Sequence, residues 1–132
     1  MLPRWLNDYI GMPFLDHGRD AQGCDCWGLV RLVLAEQFEI DVPSYGTAYS
    51  DCKSAEIGPH IDDVAKDWRQ VEDEAAQPGD VVVLRIAGQP WHVGLVIEAG
   101  MMLHVERGLD ACLERYDGPH WSKRLVGIYR HQ

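Results

Sequence analysis

From Val81 onward the chain consists of short runs rich in Val, Leu and Ile that favour a period of two, whereas before Val81 its apolar residues recur every three to four positions. No other feature constrains the fold as much as this change of period, from about 3.6 to 2. The runs Val81–Ile86, Trp91–Glu98, Met101–Val105, Cys112–Tyr116 and Val126–Arg130 predict an antiparallel meander of about five strands. Ahead of them, Trp5, Leu6, Tyr9 and Ile10 have the spacing of a short helix over Pro3–Ile10 that stops at Gly11. Leu29, Val30, Val33, Leu34 and Phe38 predict a helix over Cys26–Phe38, apolar enough to be the central buried one. Ile61, Val64, Ala65 and Trp68 predict a further helix over Ile61–Val71. Residues 12–23 and 42–59, with their Pro and Gly, read as connections, and Gln77-Pro78-Gly79-Asp80 reads as a turn. Helices first and strands second make an α+β domain, with N-terminal helices packed on one face of the sheet.

With 132 residues, 46% of them hydrophobic, the chain is expected to form one domain over 1–132. A net charge of −9 argues against nucleic acid and against anionic membrane surfaces as partners, since both would repel it. No run approaches the roughly 20 apolar residues of a membrane span, and Met1-Leu2-Pro3-Arg4-Trp5 lacks the apolar core of a signal peptide. The expectation is a chain made in the bacterial cytoplasm with no membrane insertion. Cys24, Cys26, Cys52 and Cys112 are then expected to be free thiols. A zinc site built from Cys24, Cys26 and either Cys52 or His60 lacks the paired C-x-x-C spacing, so neither a metal nor any other cofactor is expected.

Cys26 lies where a polar loop enters the central helix. Unpaired N–H groups and the positive end of the helix dipole favour thiolate over thiol there, and thiolate is the nucleophilic form. His92 and His104 sit in strand-like segments far along the chain, the order expected when a base distant in sequence meets a thiol in the fold. Each residue has a plainer explanation. A buried cysteine at a helix start is usually an inert apolar group, Asp25 suits a helix N-cap, and a lone histidine in a strand is usually structural. The three together favour Cys/His catalysis, with His17, His60, His120 and His131 read as solvated.

The ordered segments Gly11-Met12-Pro13-Phe14, Asp25-Cys26-Trp27-Gly28-Leu29-Val30, Pro78-Gly79-Asp80, His92-Val93-Gly94 and His104 span nearly the whole chain. In this order and spacing they resemble the NlpC-type cysteine peptidases, cell-wall hydrolases of the papain-like superfamily. The resemblance implies a papain-like fold and hydrolysis of peptide bonds in peptidoglycan stem peptides. It implies that Cys26 is the nucleophile, His92 the base and His104 the group that orients the base. It also implies substrate-binding roles for Asp25, which matches a position that recognises a free amino group, and for Trp27 and Phe14. Many relatives carry Tyr at the position of Phe14, so one oxyanion donor is unassigned, with Asp16 and His17 as candidates. Cys24-Asp25-Cys26-Trp27-Gly28 looks like the variant found in phage and prophage tail modules, which implies a virion-tail location and tail-protein partners. A structural tail protein that keeps the fold without the chemistry is the alternative, and an acyltransferase or deamidase using the same residues is a third.

Strand parity supplies a sharper expectation. A plain two-residue turn at Ala99-Gly100 places His92 and His104 on opposite sheet faces, because alternate residues of a strand point to opposite sides. A three-residue loop, Glu98-Ala99-Gly100, with Gly100 at positive φ, sets Ile97 opposite Met101 and His104 opposite Gly94. The two histidines then share one face, and Val93, Leu95 and Ile97 share the other.

Overall fold

The computed structural model describes residues 2–15, 18–20, 22–42, 68–86, 89–106 and 108–131. Most of the expected connection over 42–59, most of the helix expected over Ile61–Val71, and Cys52, His60, Asp16 and His17 lie outside the described residues.

The short helix expected over Pro3–Ile10 is a 3-10 helix over Arg4–Asp8. A segment of barely two turns cannot repay α-nucleation, and tertiary contacts hold it instead. Trp5 packs edge-on against Tyr9 and Phe38, and the Tyr9 hydroxyl donates to Glu36 at 2.7 Å. At Gly11, φ is +92°, and its N–H donates to the Ala111 carbonyl. The loop that follows is more ordered than expected. It contains the hairpin β1 (Arg19–Asp20) and β2 (Gly23–Cys24), and Phe14 bridges to Cys24. Helix α1 (Cys26–Gln37) then starts at an Asp25 N-cap and buries Cys26, Trp27, Gly28, Leu29, Val30, Val33 and Leu34.

Among the described residues the sheet has six antiparallel strands where about five were expected. They are β3 (Trp68–Val71), β4 (Val81–Ile86), β5 (Gln89–Glu98), β6 (Met101–Glu106), β7 (Leu109–Arg115) and β8 (Leu125–His131), in spatial order β3-β8-β4-β5-β6-β7. Two corrections follow from this order. Trp68–Val71, read as the end of a helix, is a strand, because β8 offers it an edge on which Trp68 pairs with His131. The meander covers only β4 to β7, since β8 returns to the far side of β4.

The two faces of the sheet have different jobs. Val81, Val83, Val93, Leu95, Ile97, Leu103 and Val105 pack with Leu29, Val30, Val33 and Leu34 of α1 in the main core. Val82, Leu84, Val96, Met102 and Ile128 pack on the opposite face with Tyr116 and Trp121, which come from the segment between β7 and β8.

Candidate active site

Cys26 is the first residue of α1 and is buried, so its N–H lies outside the hydrogen-bond ladder of the helix. Asp25, wholly buried, accepts from the Gly28 N–H at 2.7 Å and fixes the start of the helix. The plain reading of Asp25 as an N-cap is therefore correct. Cys24 points elsewhere, and its Sγ–H donates to the Asp20 carbonyl at 3.2 Å. Among the described residues, Cys24, Cys26 and Cys112 form no disulfide. Helix α1 packs on β5 and β6 from the face of Val93, Leu95, Leu103 and Val105.

The hairpin between those strands meets the parity requirement by a different route from the one expected. Glu98 pairs with Met101 across a two-residue turn, but the register slips between Val96 and Glu98, which gives Val96↔Met102 and Leu95↔Leu103. Gly100 takes φ +93°. The extra residue absorbed by the bulge restores the phase of the three-residue loop, and both imidazoles emerge on the Trp121 face. His92 Nε2 lies 2.9 Å from His104 Nδ1. Gly94 makes room for this pair, since a Cβ there would lie 2.7 Å from Met102 Sδ and 3.3 Å from His104 Cβ. Each histidine also occupies the last regular pair before a bulge. Leu84↔His92 precedes a slip between Leu84 and Ile86, and His104↔Cys112 precedes one between His104 and Glu106. Bulges add twist and re-aim side chains, and they recur beside active sites.

Glu114, Trp121 and Cys112 complete the cluster, and none of them stood out in the sequence. Glu114 Oε1 is 2.8 Å from His104 Nε2. Trp121 stacks on His92 with ring centroids 5.3 Å apart and meets His104 edge-on. Cys112 Sγ is 3.8 Å from His104 Nε2. The spacing of Cys112 and Glu114, two apart on one strand, was a usable signal, but their register against His104 was not legible before the strands were paired.

Burial, and then the neighbouring His104, lower the pKa of His92 to about 3. Burial also lowers that of His104, against the opposing pull of Glu114. Both rings are therefore neutral at neutral pH. Burial alone would raise Glu114, but Trp121 and His104 outweigh it and keep the carboxyl below its ordinary value. The Trp121 indole N–H is buried beside Glu114 and is the first of the groups that hold its carboxyl down. An ionised Glu114 only accepts, which assigns the tautomers along the chain. His104 Nε2–H donates to Glu114, His92 Nε2–H donates to His104 Nδ1, and the lone pair of His92 sits on Nδ1. The arrangement leaves one imidazole nitrogen, His92 Nδ1, with a lone pair able to accept a proton.

The NlpC/P60 family model matches residues 11–130 of the chain. The chain is 25% identical over 117 residues to the murein DD-endopeptidase MepS/murein LD-carboxypeptidase of Escherichia coli K12. That alignment covers 89% of this chain and 54% of the other, so the chain spans about half the length of this relative. A NlpC/P60 family protein from Bacillus cereus superposes with a TM-score of 0.70 at 20% identity, over 99% of this chain and 41% of that one. The NlpC/p60 domain of the peptidoglycan hydrolase SagA gives 0.65 at 17% identity, over 96% and 92%. These two likenesses show the fold.

Proposed function

Since the chain belongs to the NlpC/P60 family, we propose that it is a cysteine endopeptidase that hydrolyses peptide bonds in peptidoglycan stem peptides, with Cys26 as nucleophile, His92 as base and His104 as the group that orients it. The observation that carries this reading is the 2.9 Å contact between His92 Nε2 and His104 Nδ1, anchored at its far end by Glu114. The contact engages Nε2 of His92, and in this reading Nδ1 is the nitrogen that takes the Cys26 proton. The thiolate attacks the scissile carbonyl carbon, and the Cys26 N–H stabilises the oxyanion. As His92 becomes an imidazolium, its Nε2–H bond to His104 strengthens, and Glu114 balances the new charge through His104. His92 then protonates the leaving amine. Water resolves the thioester, with His92 taking a proton from it in turn. In this reading Asp25 sets the helix end that holds the thiol and contributes to recognition of a substrate amine. Trp27, next to Cys26 in sequence, and Phe14, whose backbone bridges to Cys24, are the other proposed substrate contacts.

The test is to incubate reduced protein with purified muropeptides and look for new fragments by mass spectrometry, with Cys26→Ala as control. Chain scission by the wild type and none by the variant supports the reading. No cleavage by a folded, reduced sample overturns it in favour of a non-catalytic protein, and a product without scission points to transfer or deamidation. A phage-tail location is the finer part of the proposal and rests on the Cys24-Asp25-Cys26-Trp27-Gly28 segment alone. Flanking genes for tail proteins support it, and flanking cell-wall housekeeping genes reject it.

A further inference from the structure

We propose that His104, Cys112 and Glu114 form a binding site for a zinc-type divalent ion, and that the bound ion switches off the base by reversing the tautomers of the two histidines. The second half rests on the peptidase reading above; the first half does not.

The site follows from strand register. His104 of β6 and Cys112 of β7 are direct cross-strand partners, and Glu114 lies two residues on, on the same face. Their ligand atoms all fall within 4.8 Å of one another. One nitrogen, one sulfur and one oxygen suit a borderline-soft ion, and three protein ligands leave a fourth tetrahedral position for water. Cys112 and Glu114 are only partly buried, so an ion can reach them from solvent. In a tetrahedral zinc site the N···S and N···O separations are about 3.6 and 3.4 Å. The 3.8 Å between His104 Nε2 and Cys112 Sγ is close to the first. The 2.8 Å between His104 Nε2 and Glu114 Oε1 has to open by about 0.6 Å to reach the second. Glu114, a long side chain that is 35% exposed, can make that movement.

The consequence lies in the protons. Without the ion, Glu114 holds the His104 proton on Nε2, and this order leaves the His92 lone pair on Nδ1. An ion on His104 needs the Nε2 lone pair, so the His104 proton moves to Nδ1 and donates to His92 Nε2. The His92 proton then sits on Nδ1, where no lone pair remains to accept the thiol proton. The Cys112 thiol releases one proton to solvent as it ligates. Nothing is oxidised or reduced.

The site is tested by titrating Co²⁺ into the reduced, chelator-treated full chain. A thiolate-to-cobalt charge-transfer band in the near ultraviolet is expected, and Cys112→Ser should remove it and weaken binding by about tenfold or more. An unchanged band in Cys112→Ser overturns the site, as does no Co²⁺ binding by the wild type. Should Cys112→Ser not fold, Glu114→Gln takes its place, with weaker binding expected and unchanged binding counting against the site. The switch is read on Cys26→Ala by ¹⁵N NMR of the histidine rings, which needs no activity. Zinc should move the His92 proton from Nε2 to Nδ1, and a His92 proton that stays on Nε2 in the zinc-bound protein overturns the switch. With muropeptides, stoichiometric zinc should inhibit the wild type, and Cys112→Ser should be active in EDTA and resist zinc. Equal inhibition of both overturns the switch. A wild type inactive even in EDTA defeats the peptidase reading, and the Co²⁺ result still decides the site.

Discussion

Asp80 and His92 are buried to the same degree, each 2% exposed, yet their surroundings are built on opposite plans. Asp80 is closed off. Its carboxylate accepts from the Gln77 N–H and from Arg130 Nε and Nη2, all within 2.9 Å, and Arg130 also donates to the Ala75 carbonyl. Every strong donor aimed at it has an acceptor, and the result is a knot tying the Pro78–Gly79 turn to β8. His92 belongs to an open cluster. Its chain of contacts runs through His104 to Glu114, which is 35% exposed, and leaves the Cys112 thiol beside His104. Polar groups saturated in the fold stabilise it, and buried polar groups with capacity to spare are where chemistry is kept.

Breaking each cluster should separate these roles. His92→Ala is expected to lower muropeptide cleavage by about three orders of magnitude or more, measured as initial rate in EDTA, with the sheet still folded by circular dichroism. Asp80→Ala should do the reverse. Loss of the buried acceptor should lower Tm by about 5–10 °C, while the cleavage rate per folded molecule below the transition stays near that of the wild type. Comparable loss of rate in both variants would erase the distinction between them.

Acid sharpens the comparison further. The folded pKa of His92 lies below the unfolded value, so between about pH 6.5 and pH 3 the unfolded chain holds a proton that the folded chain refuses. This contribution to stability is complete above pH 6.5 and is lost as pH falls toward 3. Urea unfolding in EDTA should therefore show a loss of about 2 kcal/mol between pH 7 and pH 5. His92→Asn should flatten that slope; an equal slope in the variant would mean that other groups set it. The smallest effect is expected for Glu114→Ala, which removes the anchor of the tautomer chain without touching the thiol. A loss of about tenfold in rate with little change in Tm is expected, because water can replace a partly exposed carboxylate. No change in rate would exclude Glu114 from the relay.

The histidine pair shows how far strand parity reaches. Parity alone requires one extra residue between Gly94 and His104, and it assigns the positive φ of Gly100 and the separation of the histidines from Val93, Leu95 and Ile97. How the residue is inserted was not legible. The expected three-residue loop is a two-residue turn preceded by a bulge, because pairing of Glu98 with Met101 competes locally with loop length. The strand at Trp68–Val71 departs from its helical spacing for a related reason. Four residues carry too little pattern to outvote the helical spacing that runs into them, and an edge strand takes its conformation from its partner.

By itself the sequence determined what depends on neighbours along the chain. It set the helix that begins at Asp25 and Cys26, the turn at Pro78–Gly79, the alternating strands from Val81 onward, and the face each histidine takes once the phase is known. Capping, turn geometry and side-chain alternation are local, so they can be read locally. Only the tertiary structure decided that β8 returns beside β4, that Arg130 closes on Asp80 from 50 residues away, and that Cys112, Glu114 and Trp121 gather around His104. Those contacts depend on register between strands and on which buried groups find partners, and both are settled by the packing of the whole sheet.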